Sequence, residues 1–399
     1  MKRIIRGFPD MCRARIWAPV ILSVLLMLGG CASEVTYYKR GTQYEKKGDY
    51  KKALDAYKKS VARDPNYALS YFGMGSVYAK NKLWENSLES LKKAQELGVD
   101  DQDIHMLLGS VYEALNKMDL AAEEYGKAIK ARPDDVLSHL KLGATLEKGR
   151  DYEGALEEYR SASAIVIDFP EAYFHSARMQ FKLKRYREAE ETYQQALRLK
   201  KKYPEAQNNL TVLYLENNEM LKALDSAKKT LDIDAGYVPG MVNMGYVLEL
   251  MNDRKAAEAW YKKAIRRNRD YDLGHYRMGM LKKKKREFGG AEREFQAAIR
   301  ANPELASAYN ELGLISLAAG NYNTALEYFS KAATVDSTCS AAYYNMAGIR
   351  TNKGDYRGAV EFYRRYLAHA GNPDDSLEVI NRIRLLLSAG DNRSGAPLR

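Results

Sequence analysis

The 399 residues carry a formal net charge of +11 and three cysteines, of which Cys12 and Cys31 stand near the start and Cys339 alone in the remainder. That distribution excludes a disulfide framework, so the body of the chain must be held by packing. The length allows two or three ordinary globular domains, but an internal repeat replaces that expectation with one quasi-linear array.

The first predicted element in chain order is a targeting segment. Lys2, Arg3, Arg6, Arg13 and Arg15 lead into an apolar run over residues 16–28, too short to span a bilayer comfortably and suited to the h-region of a signal peptide. The run ends in Leu28-Gly29-Gly30-Cys31, which resembles a bacterial lipobox. The resemblance implies cleavage after Gly30, a diacylglyceryl thioether on Cys31 and an acylated start over residues 31–33; an uncleaved anchor helix is the alternative. Pro9 and Asp10 make an odd n-region, whereas Met11-Cys12-Arg13-Ala14-Arg15 makes a compact one, so translation is expected to start at Met11. A precursor that needs residues 1–10 for export would refute this. Ala32 rather than Asp follows the cysteine, which in Gram-negative sorting implies the outer membrane and its periplasmic face. Two or three acyl chains, at about 0.8 kcal/mol per buried CH₂, would hold the protein there permanently.

From residue 34 a pattern of 34 residues repeats ten times without insertion, to residue 373. Residues 306–339 display it. Small residues stand at positions eight, twenty and twenty-seven (Gly313, Ala325, Ala332), and bulky ones at four, seven, seventeen and twenty-four (Tyr309, Leu312, Tyr322, Phe329). A break at Gly320-Asn321 divides the copy into two short antiparallel helices. Position eight reads Gly41, Gly75, Gly109, Gly143, Ala177, Thr211, Gly245, Gly279, Gly313 and Ala347 along the chain. Position twenty is Ala throughout except Ser87, and position twenty-four is aromatic except Leu91 and Ala227. Small residues belong where helix backbones approach closely, since a larger side chain would overpack the contact by about 1–3 kcal/mol. This register resembles the tetratricopeptide repeat family. The resemblance implies an all-α fold, an α-solenoid superhelix of about ten helix pairs. The family's proline near position thirty-two survives only as Pro65, Pro133 and Pro303.

Within the array, His105, His139 and His275 all occupy position four. They sit on different helix pairs and cannot converge on one ion, so each is read as a ring replacing Tyr and no metal is expected. Repeat 6 is the least regular, with Thr211, Ala227 and Thr230 at signature positions, and is expected to be the softest joint. A capping helix is predicted over residues 374–390, with Asp374 or Asp375 as N-cap, Leu377, Ile380, Ile383 and Leu387 on one face, and Gly390 as the stop. Residues 391–399 read as a disordered tail.

No catalytic constellation emerges. Gly73-Met74-Gly75 lacks a third glycine and a preceding strand, and the chain holds no GxxxxGK[ST], HExxH or GxSxG motif. Neither an enzyme nor a cofactor is expected, and an exported chain argues against nucleic acid as the partner of its basic charge.

Function is therefore expected on the surface. In this family the inner surface is lined by positions two, five, six, nine, twelve and thirteen of each first helix. Position five reads Tyr38, Phe72, Met106, Leu140, Phe174, Asn208, Val242, Tyr276, Asn310 and Tyr344, and position two adds Leu69 and Leu137. Either this apolar row is a partner site or tight winding buries part of it between neighbouring helices. Asn209, Asn243 and Asn345 at position six, with Asn208 and Asn310 beside them, could hold a peptide backbone irrespective of its sequence, as asparagines do in relatives that grip extended peptides. No repeat pairs Lys at position two with Arg at position six, so recognition of carboxyl-terminal peptides by the family's clamp is not expected. Lys282, Lys283, Lys284, Lys285 and Arg286 form a cationic run near Arg266, Arg267 and Arg269. Either the run is a solvated turn, or it meets an acidic partner or anionic envelope polymer. The expected role is a lipid-anchored scaffold for envelope proteins, supporting assembly or secretion of a machine such as a pilus, outer-membrane protein insertion or exopolysaccharide export. The alternative is a binder of an anionic or polysaccharide polymer.

Overall fold

The computed structural model describes residues 33–369 and 373–394, with side-chain surroundings for residues 33–369 and 376–389. The leader, the Met11 start, Cys31 and residues 395–399 lie outside the described residues. The chain divides after Leu199 into two compact units. Each is all-α and built from antiparallel helix pairs in register with the 34-residue period, five pairs in the first and five in the second, followed by a terminal helix. Paired stacking is therefore the fold, as the sequence register predicts.

Local rules set the pairs. The first helix is 13 residues long, as in Glu34–Lys46, and the second is usually 14, as in Tyr50–Arg63. Between them one residue, always the fifteenth of the repeat, takes a left-handed conformation: Gly48, Gly320 and Gly354, and otherwise Lys82, Asn116, Arg150, Lys184, Asn218, Asn252 and Arg286. The next amide then reaches back across the turn, as Asp49 N–H does to the Tyr44 carbonyl at 2.9 Å. Asp49, Asp151 and Asp253 accept from a backbone N–H of the second helix and start it. A charged residue in the left-handed well carries a cost of about 1–2 kcal/mol that glycine escapes. Arg150→Gly (φ 65°) is therefore expected to stabilise the first unit by roughly 0.5–1 kcal/mol after the added unfolded-state entropy is subtracted, read as slower amide exchange on both sides of the turn.

The core repeats with the sequence. Rings at position twenty-four, such as Tyr57, Tyr125, Phe295 and Phe329, are fully buried. Each lies on the position-eight glycine of its own pair: a Cβ on Gly41 would stand 2.5 Å from the Tyr57 ring, and one on Gly313 would stand 2.5 Å from Phe329. A Cβ on Gly73 of the next repeat would likewise stand 2.5 Å from the Tyr57 ring, so one aromatic closes two contacts. In repeat 6 the sizes are exchanged, with Thr211 and Ala227 both fully buried. Irregular serines are satisfied: Ser60 donates to the Glu34 carbonyl at 2.8 Å and Ser87 to that of Gly75 at 2.7 Å. Burial pushes the half-buried Cys339 thiol up, which fits an inert packing residue.

The terminal helix departs from expectation. It spans Pro373–Ser394, passing Gly390 where a stop was predicted and taking in residues assigned to the tail. Its inward face is also different. Val379, Ile383 and Leu386 pack with Val360 and Tyr363 of repeat 10, while Leu377, Ile380 and Leu387 are exposed. Apolar residues stand almost all round this helix, so spacing alone did not choose the buried stripe.

Candidate functional site

First helices of several successive repeats touch, those of repeats 1 to 3 in the first unit and of repeats 6 to 8 and 9 to 10 in the second, and the free faces of the first helices present the positions named above. Position five does not form an open apolar row. Tyr38 lies 5.9 Å from Tyr57, Phe174 6.1 Å from Tyr193, Tyr276 5.8 Å from Phe295 and Tyr344 5.7 Å from Tyr363, each ring leaning on the position-twenty-four ring of its own pair. Phe72 is half-buried against the core of repeats 2 and 3. What remains open is position two, where Leu69 is 41% exposed, Leu137 54% and Leu273 42%. The apolar surface is thus a set of spaced leucines above a half-buried aromatic floor.

The asparagines are placed differently from a free ladder. Asn243 Nδ2 donates to Asn208 Oδ1 at 2.8 Å, and Asn345 Nδ2 to Asn310 Oδ1 at 3.3 Å, each bond running from position six of one repeat to position five of the one before. Asn208 is buried. Asn209 is half-buried and also engaged. The amides brace neighbouring helices, leaving each with part of its hydrogen-bonding capacity.

Position twelve supplies a feature the sequence reading missed. Glu45, Glu113, Glu147 and Glu249 are largely buried and accept from the position-twenty-four hydroxyls of Tyr57 (2.7 Å), Tyr125 (3.3 Å), Tyr159 (3.2 Å) and Tyr261 (2.9 Å). Each also takes a cation from the following first helix: Lys80 at 2.7 Å, Lys148, Arg178, and Lys284 at 2.6 Å. Burial pushes the Glu45 carboxyl up, but bonds from Lys80, Ser76 and Tyr57 outweigh it and hold the carboxyl below the usual range. Burial and the Glu113 charge push the Tyr125 hydroxyl up to about 12, partly offset by Ser110. The signal was available as a Glu–Tyr spacing of twelve followed by a cation on the next first helix.

The cationic run is not free charge. Lys282 pairs with Glu294 at 2.7 Å, Lys283 with Glu311, Lys284 with Glu249 at 2.6 Å and Lys285 with Glu258. Hydrogen bonds from Lys262 and Lys285 lower Glu258 to about 2. Arg286 occupies the left-handed turn. The four lysines thus cross-link helices rather than lying free in a solvated turn. Arg266 and Arg269 instead border a separate depression, and Arg267 is exposed outside its lining.

Each position-four histidine has its own glutamate at position twenty-three. His105 Nδ1 lies 2.7 Å from Glu124, His139 Nδ1 2.6 Å from Glu158 and His275 Nδ1 2.8 Å from Glu294. The second ring nitrogen of His275 donates to the Arg269 carbonyl, so both nitrogens face acceptors. The Glu294 bond is the main cause of a raised His275 pKa, while the burial that pushes Glu294 up is outweighed by His275 and Lys282, which lower it. A raised base stabilises the fold fully below its ordinary 6.5 and loses that contribution as pH climbs through the raised value. The depressed acid contributes above 4.5 and loses its share as pH falls through the lowered value. Local stability of repeat 8 is therefore expected to decline from pH 6.5 upward, and His275→Phe should flatten that slope in amide exchange corrected for intrinsic rates. An unchanged slope would remove the pair as its cause.

The tetratricopeptide repeat family matches residues 35–67, 106–166, 174–238, 238–271, 276–338 and 316–377, well over half of the chain. No curated protein matches it. Among solved structures it is similar to yeast Tom70, at 13% identity over 91% of this chain and 97% of that one, with a TM-score of 0.57. It is also similar to YrrB, described as a repeat protein with an unusual peptide-binding site, at 17% identity, 49% and 97% coverage and a TM-score of 0.42. MamA matches at 26% identity, 41% and 95% coverage and a TM-score of 0.38.

Proposed function

The chain belongs to the tetratricopeptide repeat family, and from that premise we propose that it is a binding scaffold which receives an extended segment of an envelope protein across its first helices. Such proteins work by binding rather than by catalysis. The observation that carries the reading is the exposure of Leu69 and Leu137, two repeats apart on one face of the first unit, above rings that are themselves half-covered. An extended peptide buries alternate side chains, and spaced apolar sockets suit it better than a continuous strip. Anchoring through a lipid on Cys31 at the periplasmic face of an outer membrane belongs to the same proposal. It would place the scaffold beside envelope machines under assembly or secretion. The alternative of an anionic or polysaccharide polymer held by the lysine run is weakened by the carboxylates that engage all four lysines.

The test is crosslinking and affinity capture from the protein's own membranes, comparing the wild type with Leu69→Asp/Leu137→Asp. A defined protein partner lost in the variant supports the scaffold. Partners that persist unchanged, or none at all, reject it. Globomycin treatment of the cells, which blocks the lipoprotein peptidase, should leave a larger precursor if Cys31 is lipidated.

A further inference from the structure

The arginines around repeats 7 and 8 differ from the lysines beside them. Arg266 and Arg269 stand at and just after the end of the helix Arg254–Arg267, and Arg300 at the end of the helix Phe288–Ala301. Together with His275 they border a depression of about 490 Å³ whose floor includes Ile265, Ala297 and Ala301. All three arginines are exposed, and among the described residues none of them forms an ion pair. The charge facing them is small. Asp270 is the one carboxylate in the lining, and Glu294 behind His275 is already held by that ring and by Lys282.

Three arginines near two helix C-termini border one concavity, and they outweigh its single carboxylate and the roughly half negative charge at each helix end, leaving a net positive field in a partly enclosed space. The planar guanidinium fork matches two oxygens of a tetrahedral oxyanion, which an ammonium does less specifically. The apolar floor gives room beyond the anion, and the volume falls within the range of small-ligand sites, about 300–1,000 Å³. We propose that this depression binds a phosphate group carried by a small organic moiety, with Arg266, Arg269 and Arg300 as its ligands. The site is independent of the first-helix face and stands whether or not that face binds a peptide. The phosphate could come from a free phosphorylated metabolite or from a lipid headgroup, which share the recognised chemistry.

The experiment is isothermal titration of the full chain with glycerol 3-phosphate and, separately, with glycerophosphoglycerol, the deacylated headgroup of phosphatidylglycerol. Three proteins are compared: wild type, Arg266→Ala/Arg300→Ala, and a Lys228→Met/Lys255→Met control that removes two exposed lysines outside the depression, each checked for an unchanged helical circular dichroism spectrum. Binding by wild type and control that weakens at least tenfold in the arginine variant supports the site. Glycerol 3-phosphate alone as the effective probe points to a free phosphorylated metabolite, and the headgroup alone to a lipid. Binding of both with parallel loss makes the phosphate the shared determinant. No binding of either probe overturns the proposal, as does equal binding by the arginine variant.

Discussion

Phe329→Ala is expected to destabilise repeat 9 by about 3–5 kcal/mol, and adding Gly313→Thr should return a part of that loss on the order of 1–2 kcal/mol. The ring is fully buried, and a Cβ on Gly313 would stand 2.5 Å from its edge, so removing the ring opens a cavity directly over the glycine. By itself Gly313→Thr should cost about 1–3 kcal/mol, because the ring has nowhere to go. The two losses should therefore not add. Repeat 6 already contains the exchanged arrangement, with Thr211 at position eight over Ala227 at position twenty-four and neither exposed. The new hydroxyl has an acceptor in the carbonyl four residues earlier, the geometry Thr211 adopts toward Gln207 at 3.5 Å. A repeat array does not unfold as one unit, so the readout is amide exchange in the helices Ala306–Ala318 and Tyr322–Val335 rather than a global melting curve. A double variant as unstable as the sum of the two single ones would mean that positions eight and twenty-four do not form one packing unit.

This coupling explains why the fold could be read from the sequence while much of the site could not. Position eight meets position twenty-four inside a single copy, so the constraint recurs at one fixed period and ten copies reinforce it. The left-handed fifteenth residue is equally periodic but chemically silent, since Lys82, Arg150, Lys184 and Arg286 occupy a conformation usually announced by glycine or asparagine. Contacts between neighbouring copies follow other offsets. Asn208 reaches Asn243 and Asn310 reaches Asn345 at a separation of 35, one residue out of phase with the repeat. A column of asparagines therefore looks like a free ladder when only one position is read at a time. The lysine run misled in the same way. Its partners Glu249, Glu258, Glu294 and Glu311 lie up to 35 residues away on other helices, whereas the sequence places the five cations side by side. The terminal helix failed for a different reason, since its burial is dictated by Val360 and Tyr363 beneath it and not by its own pattern.

Leu69→Asp/Leu137→Asp should leave the first unit folded and weaken its peptide partner by well over a hundredfold. Leu69 is 41% and Leu137 54% exposed at position two, so aspartate forfeits about half of a leucine's burial at each, and each change should cost no more than about 1–1.5 kcal/mol in stability. Binding responds differently. A leucine buried by a partner contributes about 1.5–3 kcal/mol, and a carboxylate in its place must also be desolvated against the partner's apolar side chain. One substitution therefore costs at least tenfold, and two sockets lying on one extended segment multiply. Packed helices stand about 8–10 Å apart, so two repeats separate the leucines by at least about 16–20 Å, the reach of about five or six extended residues. The partner segment should accordingly carry two apolar side chains at least about five or six residues apart, a spacing that photo-crosslinkers placed at Leu69 and Leu137 would map directly. Leu221→Asp is the control, because that side chain is 77% exposed but lies on a second helix, off the first-helix face. Partner loss in the double variant with retention in the control identifies position two as the binding row. Equal loss in both would instead reflect general charge or solubility effects, and retention in both would reject the first-helix binding scaffold.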